Sequence, residues 1–265
     1  LFRSAERTPD RRTAEPVDPS EYRRIFEHED EHFWYRALHR LARRELLRWI
    51  PRENGRVLDA GCGTGGFLAR VRGRAVGIDF SPIALSFAAR RGLARLARAD
   101  VARLPFAEAA FDAVVSLDVL YHQAVGDDAA AVKECARVLA PGGILVLNLP
   151  AHPELRSAHD AIIHTARRYT RDAVTGLAHA AGLEIVRVTG FNALLYPVAV
   201  GVRKLRRGGP PKSDVERVHP VIGAGLSAIL GIETWLGRVV DWPFGLSIFA
   251  VFRKPGAMAA SRTVG

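Results

Sequence analysis

Ten residues, Val57-Leu58-Asp59-Ala60-Gly61-Cys62-Gly63-Thr64-Gly65-Gly66, narrow the folds open to this chain more than any other stretch. A short apolar strand reaches a carboxylate and runs at once into four glycines. Glycine takes positive φ without strain and lets the backbone approach a ligand with no side chain between. A strand entering such a turn, with a helix after it, opens a βαβ crossover, which belongs to a parallel sheet. The helix is expected to run through Val71.

The rest of the chain repeats this rhythm. Strands are expected at 56–59, 75–79, 111–117, 144–149, 184–189 and 246–253, with a further short one ending at Asp100. Helices are expected from Ser81-Pro82, at 129–139 and at 170–181, and one long helix over 20–49 with Ser20 as its cap. Alternation of this kind predicts an α/β fold whose mostly parallel sheet carries helices on both faces. Ligands then bind beyond the carboxyl ends of the strands, near the reversal of strand order. Asp59, Asp79, Asp100 and Asp118 all fall at or just past strand ends, so four acids on one rim define a site.

Residues 190–245 break the pattern with a basic, glycine- and proline-rich stretch (Arg203, Lys204, Arg206, Arg207, Lys212) and then an apolar run. A hairpin between the last two strands needs only a few residues. The excess is read as an inserted cap over the substrate side of the rim. The chain divides into a loose polar tail (1–18), a main domain (19–189 and 246–255), the cap (190–245) and a second tail (256–265).

Composition sets bounds on partners. The 265 residues carry a net charge of +10, mostly as arginine. That balance favours a polyanionic partner, yet no aromatic-and-basic nucleic-acid module accompanies it, and a nucleic acid is disfavoured. The basic stretch beside an apolar run suggests peripheral contact with an anionic membrane. The uncharged run 220–232 is shorter than the roughly 20 apolar residues of a span. No secretory signal is read. Two unpaired-looking cysteines, Cys62 and Cys135, suit a reducing cytoplasm, and a chain of this size needs neither metal nor disulfide to fold.

Gly61-x-Gly63-x-x-Gly66 alone also fits a dinucleotide fingerprint, which leaves an NAD-dependent oxidoreductase in contention. Asp59 weighs against it, because a carboxylate is unwelcome beside a pyrophosphate and favourable beside an ammonium group. Five motifs in order then resemble the class I S-adenosylmethionine-dependent methyltransferases, over residues 56–253. They are Asp59-x-Gly61-x-Gly63-x-Gly65, Gly77-Ile78-Asp79-Phe80-Ser81, Ala99-Asp100-Val101 with Leu104-Pro105-Phe106, the strand from Phe111 to Asp118, and Arg137-Val138-Leu139-Ala140-Pro141-Gly142-Gly143. The resemblance implies a Rossmann-like seven-stranded sheet and S-adenosyl-L-methionine as cofactor. It implies that Asp59, Gly61, Cys62, Gly63 and Gly65 hold the methionine end, Asp79 the ribose, Phe80 the adenine face, Asp100 and Val101 the adenine edge, and Leu117 the methionine side. Glu31-His32-Phe33-Trp34-Tyr35-Arg36 resembles a helix that closes over the cofactor in a bacterial subgroup, with Tyr35 and Arg36 as contacts.

Candidates for chemistry are His122 in the loop after the fourth strand, and His159, Asp160 and His164 beyond the fifth. On a helix Asp160 and His164 share a face, and a carboxylate beside an imidazole suits a general base. Tyr121, Arg167, Arg168 and Tyr169 are candidate acceptor contacts. A base suits an oxygen or carbon acceptor, and an enclosed rim suits a small or lipid-like one. The same motifs are compatible with an RNA methyltransferase, and with a cyclase or binding protein that keeps the fold without methylating. The oligomeric state is not legible.

Overall fold

The computed structural model describes residues 18–50, 54–155, 165–205 and 219–256. Seven strands form one sheet: β1 (Arg56–Ala60), β2 (Arg74–Asp79), β3 (Leu96–Arg98), β4 (Phe111–Leu117), β5 (Leu139–Pro150), β6 (Glu184–Phe191) and β7 (Ser247–Arg253). Their order is β3-β2-β1-β4-β5-β7-β6, with β7 antiparallel to both neighbours and the other pairings parallel. Strand order reverses between β1 and β4, so their carboxyl ends flank the expected crevice.

Alternation along the central strands sends side chains to two buried faces. Leu58, Val114, Leu145, Leu147, Ala250 and Phe252 enter one core, with Ala131, Val132 and Cys135 of α4 (Asp128–Val138) and Val174 and Ala178 of α5 (Arg171–Ala180). Val57, Ala113, Val115, Ile144, Val146, Phe249 and Val251 enter the other, against Leu38, Leu41, Ala42 and Leu46 of α2 (Phe33–Trp49). Residues buried on both faces in this way read as near-continuous apolar runs, which is why the strands are visible in sequence. α1 (Pro19–His28) packs Tyr22 on Ala84 and Phe87 of α3 (Pro82–Arg90). Side chains cap four helices: Asp18 on α1, Ser81 on α3, Asp127 on α4 and Thr170 on α5.

Three expectations need correction. The single helix over 20–49 is two, α1 and α2, because the chain bends at 29–32 to deliver Glu29 and Asp30 to partners described below, and its cap is Asp18 rather than Ser20. The helix after the glycine turn is only a 3₁₀ turn, Leu68–Arg70. The insertion contains α6 (Tyr196–Leu205) and α7 (Pro220–Leu236), and α7 docks its later turns on α2. Leu230 is fully buried there, and Arg44 Nη1 donates to Thr234 O at 3.0 Å. The earlier turns leave Val221 and Ile222 exposed.

Candidate active site

Beyond β1 the chain turns through Gly61, Gly63 and Gly65, all at positive φ (90°, 52° and 83°). The N–H groups of Gly61 and Cys62 both donate to Ile78 O, at 2.9 and 2.8 Å, and tie the turn to β2. A Cβ at Gly61 would lie 2.3 Å from Val119 Cγ2, whereas one at Gly63 would meet nothing within 4 Å. The turn is thus packed on its β4 side and open at Gly63. Asp59 lies 2% exposed beneath it, with Oδ2 lacking any partner. Burial, then the charges of Asp79 and Glu29, push its carboxyl up to about 8. A charged carboxylate so placed calls for a cation. Asp79 Oδ2 accepts from Gly63 N and its Oδ1 from Ser81 N, each at 2.9 Å. These two backbone donors fix the orientation of the carboxylate. Further along the rim, Arg98 lies over Phe80 at 5.4 Å from the ring centroid. Asp100 is exposed and accepts from Ala102 N at 2.8 Å, beside the buried Val101.

The bend between α1 and α2 is bolted to this turn. Glu29, buried, accepts from the Thr64 hydroxyl and from Arg91 Nη2 at 2.7 Å. Asp30 bridges Arg70 and Arg91 at 2.6 Å each, and Arg91 Nε donates to Thr64 O at 2.9 Å. Burial raises the Glu29 carboxyl; against the same push, Arg91 and Arg70 hold Asp30 below the usual range. From this anchor α2 carries Trp34 to 6.3 Å from Phe191 at the end of β6, and Tyr35 to the rim. Burial lifts the Tyr35 phenol far above its ordinary value, helped by Glu29, Tyr121 and Asp118, in that order. His39, one turn on, is buried and pushed down to about 3, chiefly by desolvation and then by Arg70. Arg36 is exposed.

On the other side of the reversal, Asp118 follows β4 at φ 58°. Its N–H donates to Asn148 O at 3.0 Å, and Asn148 Nδ2 donates to Asp118 Oδ1 and Oδ2 at 2.9 and 3.2 Å. Asn148 is fully buried on β5, with Oδ1 unpartnered. Burial pushes the Asp118 carboxyl up to about 7 against the hydrogen bond from Asn148. After β5, His152 adopts φ 62°, stacks on Tyr196 at 4.7 Å and meets Glu154 Oε1 at 2.8 Å.

A family profile described as a methyltransferase domain matches residues 58–147. A malonyl-[acyl-carrier protein] O-methyltransferase of Enterobacter lignolyticus is 34% identical over 196 residues, covering 68% of this chain and 77% of the relative. The chain belongs to the class I S-adenosylmethionine-dependent methyltransferases. A Mycolicibacterium smegmatis protein named as a probable methyltransferase of this kind is 30% identical over 168 residues, 61% of this chain and 63% of its own. The chain therefore spans under two thirds of that relative. Among solved structures, the [4+2]-cyclase SpnF superposes with a TM-score of 0.55 at 25% identity, covering 84% and 83% of the two chains. A Thermotoga maritima S-adenosylmethionine-dependent methyltransferase gives 0.57 at 19%, covering 89% and 95%.

The methyltransferase's residues fit the family's cofactor: the orphaned buried oxygen of Asp59 faces the need for an ammonium partner, and the bare backbone at Gly63 gives room beside it. Asp59, Gly61, Cys62, Gly63, Gly65 and Asp79 gather around the turn, Phe80, Asp100 and Val101 extend along β2 and β3, and Leu117 ends β4. Several of the remaining candidates gather at the loop after β4. His122 accepts from Ala124 N through Nδ1 at 3.0 Å, so that nitrogen's lone pair serves its own loop. Arg167 donates to Leu120 O, Val125 O and Gly126 O at 2.9–3.0 Å, and the Tyr169 hydroxyl meets Asp128 Oδ2 at 2.8 Å. Both therefore pin the loop after β4. Arg168 donates to Ala151 O at 3.0 Å, and Tyr121 borders the rim near Tyr35. His159, Asp160 and His164 lie outside the described residues. Sequence reasoning missed Glu29, Arg91, Asn148 and His152. An acid four residues before an aromatic helix start was the one available hint, for Glu29.

Proposed function

We propose that this methyltransferase moves a methyl group from S-adenosyl-L-methionine to an oxygen or carbon of a small-molecule or lipid-like acceptor. The observation that carries this reading is the buried, half-unpartnered carboxylate of Asp59 beside an open glycine turn. When bound, the cofactor supplies a methyl group already activated on a sulfonium. Asp59 pairs with the ammonium of the methionine end, and Asp79, oriented by Gly63 and Ser81, accepts both ribose hydroxyls. Phe80, Asp100 and Val101 line the adenine. Tyr35, held by the Glu29–Thr64–Arg91 anchor, closes the rim and excludes water. Such positioning can supply about 7–11 kcal/mol in a displacement that needs alignment more than acid chemistry.

The Enterobacter relative methylates an oxygen by its name, which supports the oxygen reading. The insertion 190–245 serves as the cap on the acceptor side, with Tyr196 beside His152 at the edge of the rim. Among the described residues no helix is long and apolar enough to cross a membrane. The exposed Val221, Ile222 and Trp235 of α7 support peripheral contact with an anionic surface, which co-sedimentation with anionic vesicles checks. Calorimetry with S-adenosylhomocysteine tests the cofactor, and transfer of a labelled methyl group to a panel of hydroxyl, carbon and RNA acceptors tests the reaction. A second reading has the SpnF likeness behind it: a cyclase that keeps the cofactor motifs. Tight cofactor binding with no label transferred to any acceptor favours that reading.

A further inference from the structure

The rim is ordered by the sheet itself. β3, β2 and β1 carry Asp100, Asp79 and Asp59, which take the adenosyl and methionine parts in the function proposed above, and this inference rests on that reading. The next two strands are β4, which Asp118 follows directly, and β5, which carries Asn148 near its carboxyl end. These two residues form a polar pair lying past the three carboxylates assigned to the cofactor, on the side left for the acceptor.

Several details mark this pair as built for more than stability. Asp118 sits at φ 58°, a region that suits few side chains, and Asp and Asn best among those that carry a Cβ. Both of its oxygens receive the same amide, Asn148 Nδ2, at 2.9 and 3.2 Å, so one donor fixes the plane of the carboxylate. Asn148 is fully buried and leaves Oδ1 without a partner, a cost that an apolar residue at the same place would not incur. Among the described residues, Asn148 Nδ2 from β5 donates to Asp118, and the Tyr35 phenol from α2 lies within reach of its charge. Neither partner is a cation.

We propose that Asp118 faces the transferred methyl group and is the proton acceptor for a hydroxyl substrate, with Asn148 as its positioning residue. Asp118 takes the proton of the hydroxyl as that oxygen bonds to the methyl carbon and the carbon–sulfur bond breaks, its electron pair passing to sulfur. The products are a methyl ether, S-adenosylhomocysteine and a protonated Asp118, which returns its proton to water. A neutral amine, already nucleophilic, would depend on such a base far less. Burial that raises this carboxyl towards neutrality, to about 7, matches it to proton transfer at ordinary pH. The histidine of the same loop, His122, has the lone pair of its Nδ1 engaged by Ala124 N.

The test uses two probes on the full chain: S-adenosylhomocysteine, and sinefungin, in which a carbon-borne amine replaces the sulfonium methyl. The amine stands where the methyl group would face Asp118. The wild-type chain should prefer sinefungin, and the preference should grow as pH rises through the titration of Asp118. Asp118→Asn keeps a residue that tolerates positive φ; it should lower the sinefungin preference tenfold or more and leave S-adenosylhomocysteine affinity within about twofold. Asn148→Leu removes the donor to the ionised carboxylate and should move the pH limb upward, a shift that a merely structural role would not produce. Near-ultraviolet circular dichroism checks that both variants are folded. Loss of affinity for both probes alike in Asp118→Asn, or a preference independent of pH between 5 and 9, overturns the proposal. Failure of the wild-type chain to bind S-adenosylhomocysteine instead overturns the methyltransferase function on which it rests.

Discussion

Asp59 shows how much a single carboxylate can depend on its surroundings. Its folded-state pKa, about 8, lies above the roughly 3.9 of an unfolded aspartate. The folded chain thus holds an extra proton between about pH 4 and 8, and this group's contribution to stability falls as pH rises through that window. The cofactor-free protein should lose melting temperature from pH 5 to 8, and Asp59→Asn should flatten part of that slope, as differential scanning fluorimetry would show. Binding an ammonium ligand should expel the proton below pH 8, so calorimetric heats should vary with the ionisation enthalpy of the buffer. Asp79 acts through hydrogen bonds instead. Two charge-assisted bonds of about 1.5–3 kcal/mol each make Asp79→Ala cost at least about a hundredfold in S-adenosylhomocysteine affinity, measured by titration calorimetry. Both acids could be read from spacing, because one βα unit fixes their separation. Asn148 could not, since an asparagine inside an apolar strand acquires meaning only when β4 delivers Asp118 to it.

At the scale of elements, strands read well and helix boundaries less so. β1, β4 and β7 are apolar runs buried on both faces, a pattern that survives without partners. The break between α1 and α2 was invisible because residues 29–32 carry no glycine or proline; the pairing of Glu29 with Thr64 and Arg91 outweighs local helix propensity. The seam between β6 and the approach to β7 is held by two glycines. A Cβ at Gly190 would lie 1.9 Å from Phe244 O, and one at Gly245 2.5 Å from Phe191 O. Since the obstacle is backbone, Gly190→Ala should destabilise the fold by about 1–3 kcal/mol or more in denaturant unfolding. The docking of α7 on α2 rests on Leu230, fully buried, and Leu230→Ala should cost about 2–5 kcal/mol. A loss below about 1 kcal/mol would mean that the insertion is only loosely attached.

For the whole molecule, ligand and fold are linked by mass action. S-adenosylhomocysteine at a hundredfold excess over its Kd stabilises by about 2.7 kcal/mol. For a chain of this size that corresponds to a rise of roughly 5–10 °C in melting temperature. The sequence by itself determined the alternating strands and helices of the sheet and the carboxylates at or just past its strand ends, since apolar periodicity and glycine turns are local signals tied to one strand or one crossover. Only the tertiary structure decided that Glu29 and Arg91 lock the N-terminal cover to the glycine turn, that Arg167 and Tyr169 brace a loop, and that Asp118 and Asn148 form a pair. Each of those contacts joins residues about 30 to 60 positions apart in the chain. Their energies come from distances and burial that arise once the strands are laid side by side, and no periodicity in a linear sequence encodes them.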